Sequence, residues 1–286
     1  MSDSVVKNKL QKPIDSLEIT KEELKRFLQI LQERANSACE FECNHIESFI
    51  KAEDLEKSKD DLRSCSTLKI SLTGNDGVEL FGNIEEVFTS LSFPEQIKSI
   101  YLNSELLYKS KFNYIPRNQF KIYFDFRKPK VLDFSFQPSD KTPNESMFSV
   151  EGYDSTWVNG VFSEIDNFIK KHSSRFSGVH KNSIYDLIVW LLGLPLGFWT
   201  CFKLSNSISR FFTSKFLTSA LYVYVFFLSL IILRILFHYF RWLYPKVQYK
   251  TKKDISLIHR GLFLTITIGI IGSFLYDLIR IFFSIK

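Results

Sequence analysis

Few side chains in this sequence could do chemistry, and their spacing limits what each could do. Asp125 and Asp133 flank the turn segment RKPKV, residues 127–131. If Phe126 pairs with Leu132 in a hairpin, the two carboxylates face one another across it. Like charges so placed are destabilising unless something neutralises them. Lys121, Arg127 and Lys130 are near enough to do so, and the alternative is a cation or polar-ligand site that uses both carboxylates. Cys39 and Cys43 lie four residues apart with His45 close by, which puts two thiols on one helical turn. Zinc wants four ligands in recognisable pairs, and no second pair follows. The expectation is therefore reduced thiols, no metal and no cofactor. Arg234, Asp277 and Arg280 stand in apolar runs, where ionisable groups are candidates for a polar path by default. Arg234 precedes Arg241 by seven residues and can snorkel to an interface. Asp277 and Arg280, spaced i,i+3, can pair with each other.

Motifs for turnover are missing. Gly74 and Gly77 flank a hairpin turn and lack the helix and lysine of a phosphate loop, and no GxSxG, HExxH or paired CxxC occurs. His45, His172, His180, His238 and His259 have no clear carboxylate or cysteine partner in the sequence. The expectation is a protein that is not an enzyme. A membrane-face enzyme drawing on Asp125, Asp133, His172 or His180 is the residual alternative.

Charge divides the chain in two. The 286 residues carry a formal net charge of +6, yet residues 1–184 sum to −3 and residues 185–286 to +9. The basicity belongs wholly to the segment that also holds the long apolar runs, so the high pI is no nucleic-acid footprint and no nucleic-acid partner is expected. The polar start MSDSVVKNKLQKPIDS has no apolar core of a cleavable signal. Four cysteines offer no disulfide framework, in keeping with a cytosolic location for residues before the apolar runs.

The elements that must position these residues follow from periodicity. Thr20 and Glu23 form a capping box, with Ile19 stapled onto Leu24. Leu24, Phe27, Leu28, Leu31, Ala35 and Ala38 then mark an amphipathic helix, so residues 1–64 read as an N-terminal helical segment. A stripe this narrow could also pair with a second copy. Residues 51–64 are mixed-charge, a solvated helix or linker. From residue 67 the period changes to two. Leu68, Ile70 and Leu72 lead to the turn Asn75–Gly77 and a return strand at Val78–Phe81. Asn83 caps a helix at 84–91. Strands follow at 97–102, 119–126, 132–136 and 147–150, and a helix begins near Ser155 with Trp157, Val161, Ile165 and Phe168 on one face. The order β-β-α-β-β-β-β-α over residues 65–172 predicts a cytosolic α+β domain, an antiparallel sheet with helices on one face.

A polar linker at 173–184 leads to an α-helical membrane region, 185–286. Its three apolar segments lie near 185–204, 214–240 and 260–284, against about 20 residues needed for a span. Gly193, Pro195 and Gly197 kink the first, which could make it re-entrant and leave two spans. Three spans with the N-terminus inside put both richer Lys/Arg clusters on the cytoplasmic side, as the positive-inside rule prefers. Lys246, Lys250, Lys252 and Lys253 would also attract anionic lipid headgroups.

This layout, a soluble module followed by a few closely spaced spans, resembles that of membrane effectors in bacterial anti-phage defence. It implies a non-enzymatic, multi-pass sensor or effector of the cell membrane. Its cytosolic domain would bind a protein partner or small ligand, and its helices would form a homo-oligomer or alter membrane permeability. The alternative is a membrane anchor or scaffold for a cytosolic complex.

Overall fold

The computed structural model describes residues 6–47, 49, 51–132, 142–211, 214–251 and 253–284, with the last described side chain at Tyr276. Two short strands open the chain, β1 (Asn8–Pro13) and β2 (Leu17–Ile19). Helix α1 (Lys21–Ile46) starts where the capping box requires: Thr20 Oγ1 accepts from the Glu23 N–H at 3.3 Å, and the Glu23 carboxylate accepts from the Thr20 N–H at 2.9 Å. Helix α2 (Ala52–Cys65) leads into β3 (Lys69–Gly74) and β4 (Glu79–Asn83), whose turn contains Gly77 at φ +86°. Only glycine adopts that backbone cheaply. Then come α3 (Ile84–Thr89), β5 (Ile97–Asn103), α4 (Leu106–Phe112), β6 (Asn118–Asp125), β7 (Met147–Gly152) and α5 (Ser155–Lys171).

Six strands form one antiparallel sheet in the order β1-β7-β6-β5-β3-β4. Alternation on β6 sends Phe120, Ile122 and Phe124 to one face, where α1 and α5 cover them. Phe27 of α1 lies 6.1 Å from Phe124 and stacks on Phe168 of α5 at 4.2 Å, while Phe120 meets Trp157 at 6.5 Å. The α1 stripe is thus buried within its own chain and leaves no free seam for a second copy. It shares one core with the strands of 65–172, as do Ile14, Leu17 and Ile19.

The structure departs from expectation at the sheet's centre. β6 has β5 on one side and β7 on the other, and Ser99 stands across from Asp125. Both ladder edges are taken, which leaves no place beside β6 for the hairpin expected with 132–136. Leu132 is an exposed loop residue, and Phe134 and Phe136 lie outside the described residues. The N-terminal strands and α4 were absent from the expected order altogether.

Beyond α5, helix α6 (Asn182–Ile188) runs through a π turn, Val189–Gly193, into α7 (Leu194–Lys203). The Leu194 N–H donates to the Val189 carbonyl in the wider register, which relieves the helix just before Pro195. The first apolar segment is therefore a helix of 20 residues, Ile184–Lys203, long enough to span. α8 (Ser205–Phe211) turns the chain into α9 (Lys215–Leu243), the second helix of spanning length. Strand β8 (Val247–Tyr249) separates it from α10 (Ile255–Ser284). The glycines taken for a kink have another use. They are spaced G-x-x-x-G, and a Cβ on Gly193 would come within 2.9 Å of Leu233, one on Gly197 within 2.8 Å of the Phe226 ring. They let the first helix lie directly on α9. We predict that Gly197→Leu loosens this hairpin by about 1–3 kcal/mol, read as a lower melting temperature of the detergent-solubilised chain. Gly269→Leu, where a Cβ meets nothing within 4 Å, leaves the melting temperature unchanged.

Candidate functional site

Residues 244–254 leave α9 at Tyr244 and enter α10 after Asp254, yet between those helices they fold back onto the domain. β8 pairs in parallel with β2, in the register Leu17↔Val247, Glu18↔Gln248 and Ile19↔Tyr249. The Leu17 N–H donates to the Lys246 carbonyl at 3.0 Å, and the Lys250 N–H to the Ile19 carbonyl at 2.8 Å. Val247 and Tyr249 enter the domain's core, and the Tyr249 ring meets Phe126 edge-on at 5.9 Å. Each such side chain contributes about 1.5–3 kcal/mol by burial, so this strap is part of the domain's fold rather than a loop lying over it.

Ion pairs flank the strap. Lys246 binds Asp15 at 2.8 Å, Lys250 binds Glu18 at 2.5 Å and Lys253 binds Glu95 at 2.6 Å. Three of the lysines expected to meet lipid headgroups are therefore paired with domain carboxylates, and Lys252 lies outside the described residues. Asp254 caps α10 by accepting from the Ser256 N–H at 2.9 Å, and it accepts from Gln248 at 3.0 Å and from Lys128 at 2.5 Å. Burial alone would raise the carboxyls of Glu18 and Asp254. Hydrogen bonds and nearby charges, foremost those of Lys250 for Glu18 and Lys128 for Asp254, together outweigh it and hold both below their ordinary values. Arg260 on α10 donates to the Leu243 carbonyl and to Gln248 Oε1, both at 2.8 Å, closing the last turn of α9 onto the first of α10.

Helix α9 is also tied to the chain just before the first apolar helix. Arg241 Nε donates to the Val179 carbonyl at 3.1 Å, and His180 Nε2 lies 2.7 Å from the Tyr244 carbonyl. Since a carbonyl only accepts, Nε2 carries the proton, and Nδ1 accepts from the Thr142 hydroxyl at 2.8 Å. Burial pushes the His180 imidazole down to about 4, so it is neutral at pH 7.

Of the carboxylate and cation candidates, Asp125 and Arg234 have described side chains, and they lie in separate parts of the fold. Asp125 is gripped by Arg127, whose Nε and Nη2 each donate at 2.8 Å; these bonds, backbone N–H donors and the Arg127 charge together outweigh burial and hold its carboxyl low. Asp133 lies outside the described residues. Arg234 is buried against the first helix, its guanidinium 5.9 Å over the Tyr185 ring. It lies nine residues, about 13 Å, from the junction end of α9, whereas Asp277 is 22 residues, about 33 Å, along α10. Within one chain these positions lie at different distances from the junction. The side chains of Asp277 and Arg280 are outside the described ones.

Chemistry elsewhere is sparse. Among the described residues no group of three or more His, Cys, Asp and Glu side chains could hold a metal. Cys39 and Cys43 stand 4.0 Å apart inside α1, and burial pushes the Cys39 thiol up to about 12, far from a reactive thiolate. Clefts open beside the strap. One of about 280 Å³ lies between Gln96, Lys128, Trp242 and Asp254, one of about 510 Å³ between Thr20, Glu22, Lys250 and Arg260, and one of about 630 Å³ between Lys12, Asp166, His180 and Lys246. Signals for the junction were present in the sequence: Val247 and Tyr249 alternate with polar residues, and Asp254 immediately precedes an apolar helical run.

No protein-family model, characterised protein or solved structure matches this chain.

The lowered pKa of His180 fixes the sign of a pH effect. The unfolded chain protonates this ring near pH 6.5 and the folded chain only near 4, so the stability it supports is complete above 6.5 and is lost as pH falls towards 4. We predict a loss of up to about 3 kcal/mol over that window. His180→Gln removes this part of the pH dependence, as melting curves from pH 7 to 5 will show.

Proposed function

We propose that this protein is a non-enzymatic, membrane-anchored sensor or effector. Its cytosolic α+β domain binds a ligand or protein partner, and its state is passed to the membrane helices through the β2–β8 strap. One observation carries the reading: the segment joining two apolar helices is itself a strand of the domain, so the domain cannot rearrange there without moving α9 and α10.

The membrane assignment rests on exposed apolar surface. Phe216 (79% exposed), Ile258 (76%) and Trp190 (70%) stand open on three different helices, with Phe198, Tyr224 and Leu262 beside them. Surface of this kind needs lipid or protein to cover it. α10 provides a third crossing, and with α9 ending and α10 beginning on the domain, three spans leave the N-terminal domain on one side. The lysines and arginines gathered at that junction make it the cytoplasmic side. Bare faces on α9 and α10 suit self-association in the bilayer.

Two outcomes test this. The chain stays in the membrane pellet after alkaline carbonate extraction; release into the supernatant contradicts insertion. Val247→Asp places a charge in the core position of the strap and frees it while leaving every apolar helix intact. Bacteria expressing this variant then show a membrane potential different from those expressing the native chain. Equal potentials at equal membrane abundance favour inert helices, and with them an anchor or scaffold.

A further inference from the structure

The largest cleft at the junction has a composition that neither the strap nor the core explains. Four lysines line it, Lys12, Lys170, Lys181 and Lys246, against two carboxylates, Asp15 and Asp166. Lys12 and Lys170 both bind Asp166, at 2.6 and 2.8 Å, and Lys246 binds Asp15 at 2.8 Å. Among the described residues no carboxylate pairs with Lys181, which is exposed at the mouth. His180 forms part of the wall but is neutral, with both ring nitrogens engaged on Thr142 and Tyr244. The cleft therefore carries an excess of two positive charges.

Its other walls divide by polarity. Pro13, Phe148 and Ile169 supply an apolar floor, and Ser16, Ser173 and Ser177 add hydroxyls. About 630 Å³ is the size of a small-ligand site. Its position is equally specific. Lys181 directly precedes the first apolar helix at Asn182, and Lys246 follows the end of α9 at Leu243 by three residues. Two helix ends thus frame the opening, which on the membrane reading above is the level of the headgroup phosphates.

We infer that this cleft binds a phosphate monoester. Such a group carries about −1.5 to −2 charges at pH 7, matching the excess of two, and its oxygens accept from ammonium and hydroxyl donors together. The apolar floor takes the body of the molecule. Lys170 and Lys181, the most exposed of the four, close on the phosphate, while Lys246, only 12% exposed, forms the deep end. The monoester comes either from a lipid of the phosphatidic acid class or from a soluble phosphate ester. The lipid source rests on the membrane reading above; the phosphate site does not.

The test uses the full chain in neutral detergent, titrated with dioctanoyl phosphatidic acid, glycerol 3-phosphate and, as a zwitterionic control, dioctanoyl phosphatidylcholine. Phosphatidic acid raises the melting temperature, phosphatidylcholine does not, and Lys170→Gln/Lys181→Gln weakens the response at least tenfold. Lys57→Gln, on the distant helix α2, leaves it unchanged. An equal response to glycerol 3-phosphate supports the site and makes its source soluble. If neither monoester acts, or the double variant responds like the native chain, the inference is overturned. Because both substituted lysines are exposed at the mouth, the unliganded melting temperature of the double variant stays at the native value, and a fall there is read separately. Release by carbonate together with glycerol 3-phosphate binding would remove the membrane reading and leave the site standing.

Discussion

A three-residue strand between two apolar helices, paired with a strand near the N-terminus, determines how the remaining elements are disposed. Because Val247–Tyr249 must lie on Leu17–Ile19, α9 has to end and α10 has to begin at the domain. That constraint fixes the direction of both helices. It joins the two ends of the chain in one core and places Asp15, Glu18 and Glu95 where the loop lysines arrive. Magnitudes separate the contributions. Partly exposed ion pairs are worth about 0–1 kcal/mol each, against about 1.5–3 for each large side chain buried. Burial of Val247 and Tyr249 holds the strap, and its backbone bonds to β2 set the register.

The charge division of the sequence acquires a physical meaning at this junction. An acidic domain and a basic apolar region are complementary halves of one interface, so part of the basic excess is spent within the chain. Lys250 and Lys253 meet carboxylates that belong to the domain, as does Lys246. The cleft of Lys12, Lys170 and Lys181, beside the first helix, is a separate basic spot on the acidic half of the chain, to which the basic half adds Lys246. A second contact made without charge holds the hairpin itself. Gly193 and Gly197 bring the first helix against Leu233 and Phe226, which suits an environment where apolar side chains gain little from leaving lipid and close backbone approach counts for more.

How much of this could be read from residues alone depended on the length over which a pattern repeated. The Thr20–Glu23 box, the long stripe of α1, the Phe120–Ile122–Phe124 alternation and the face of α5 each extend over several periods or rest on a paired local signal, and each matches the structure. β2 and β8 are three residues long and find each other across more than 220 residues, so the single alternation of Val247 and Tyr249 is too short to distinguish a strand from loop or to name its partner. β1 is longer, but its polar sequence NKLQKP hides an edge strand. Closeness in sequence suggests a hairpin that sets Asp125 opposite Asp133, whereas the sheet inserts β6 between β5 and β7. The Gly-x-x-x-Gly spacing was visible throughout; Pro195 between the two drew attention to bending instead of packing. The lysines of 246–253 were read by charge alone, and nothing in a charge count names the partner.

Amide hydrogen exchange on the full chain in lipid nanodiscs shows whether the strap is a structural strand of the domain. We expect amides of 17–19 and 247–250 to exchange as slowly as those of β6, and Val247→Asp to speed both segments together. Fast exchange at 247–250 in the native chain, with 17–19 still protected, would show a loop that merely passes the domain and would contradict the coupling described above.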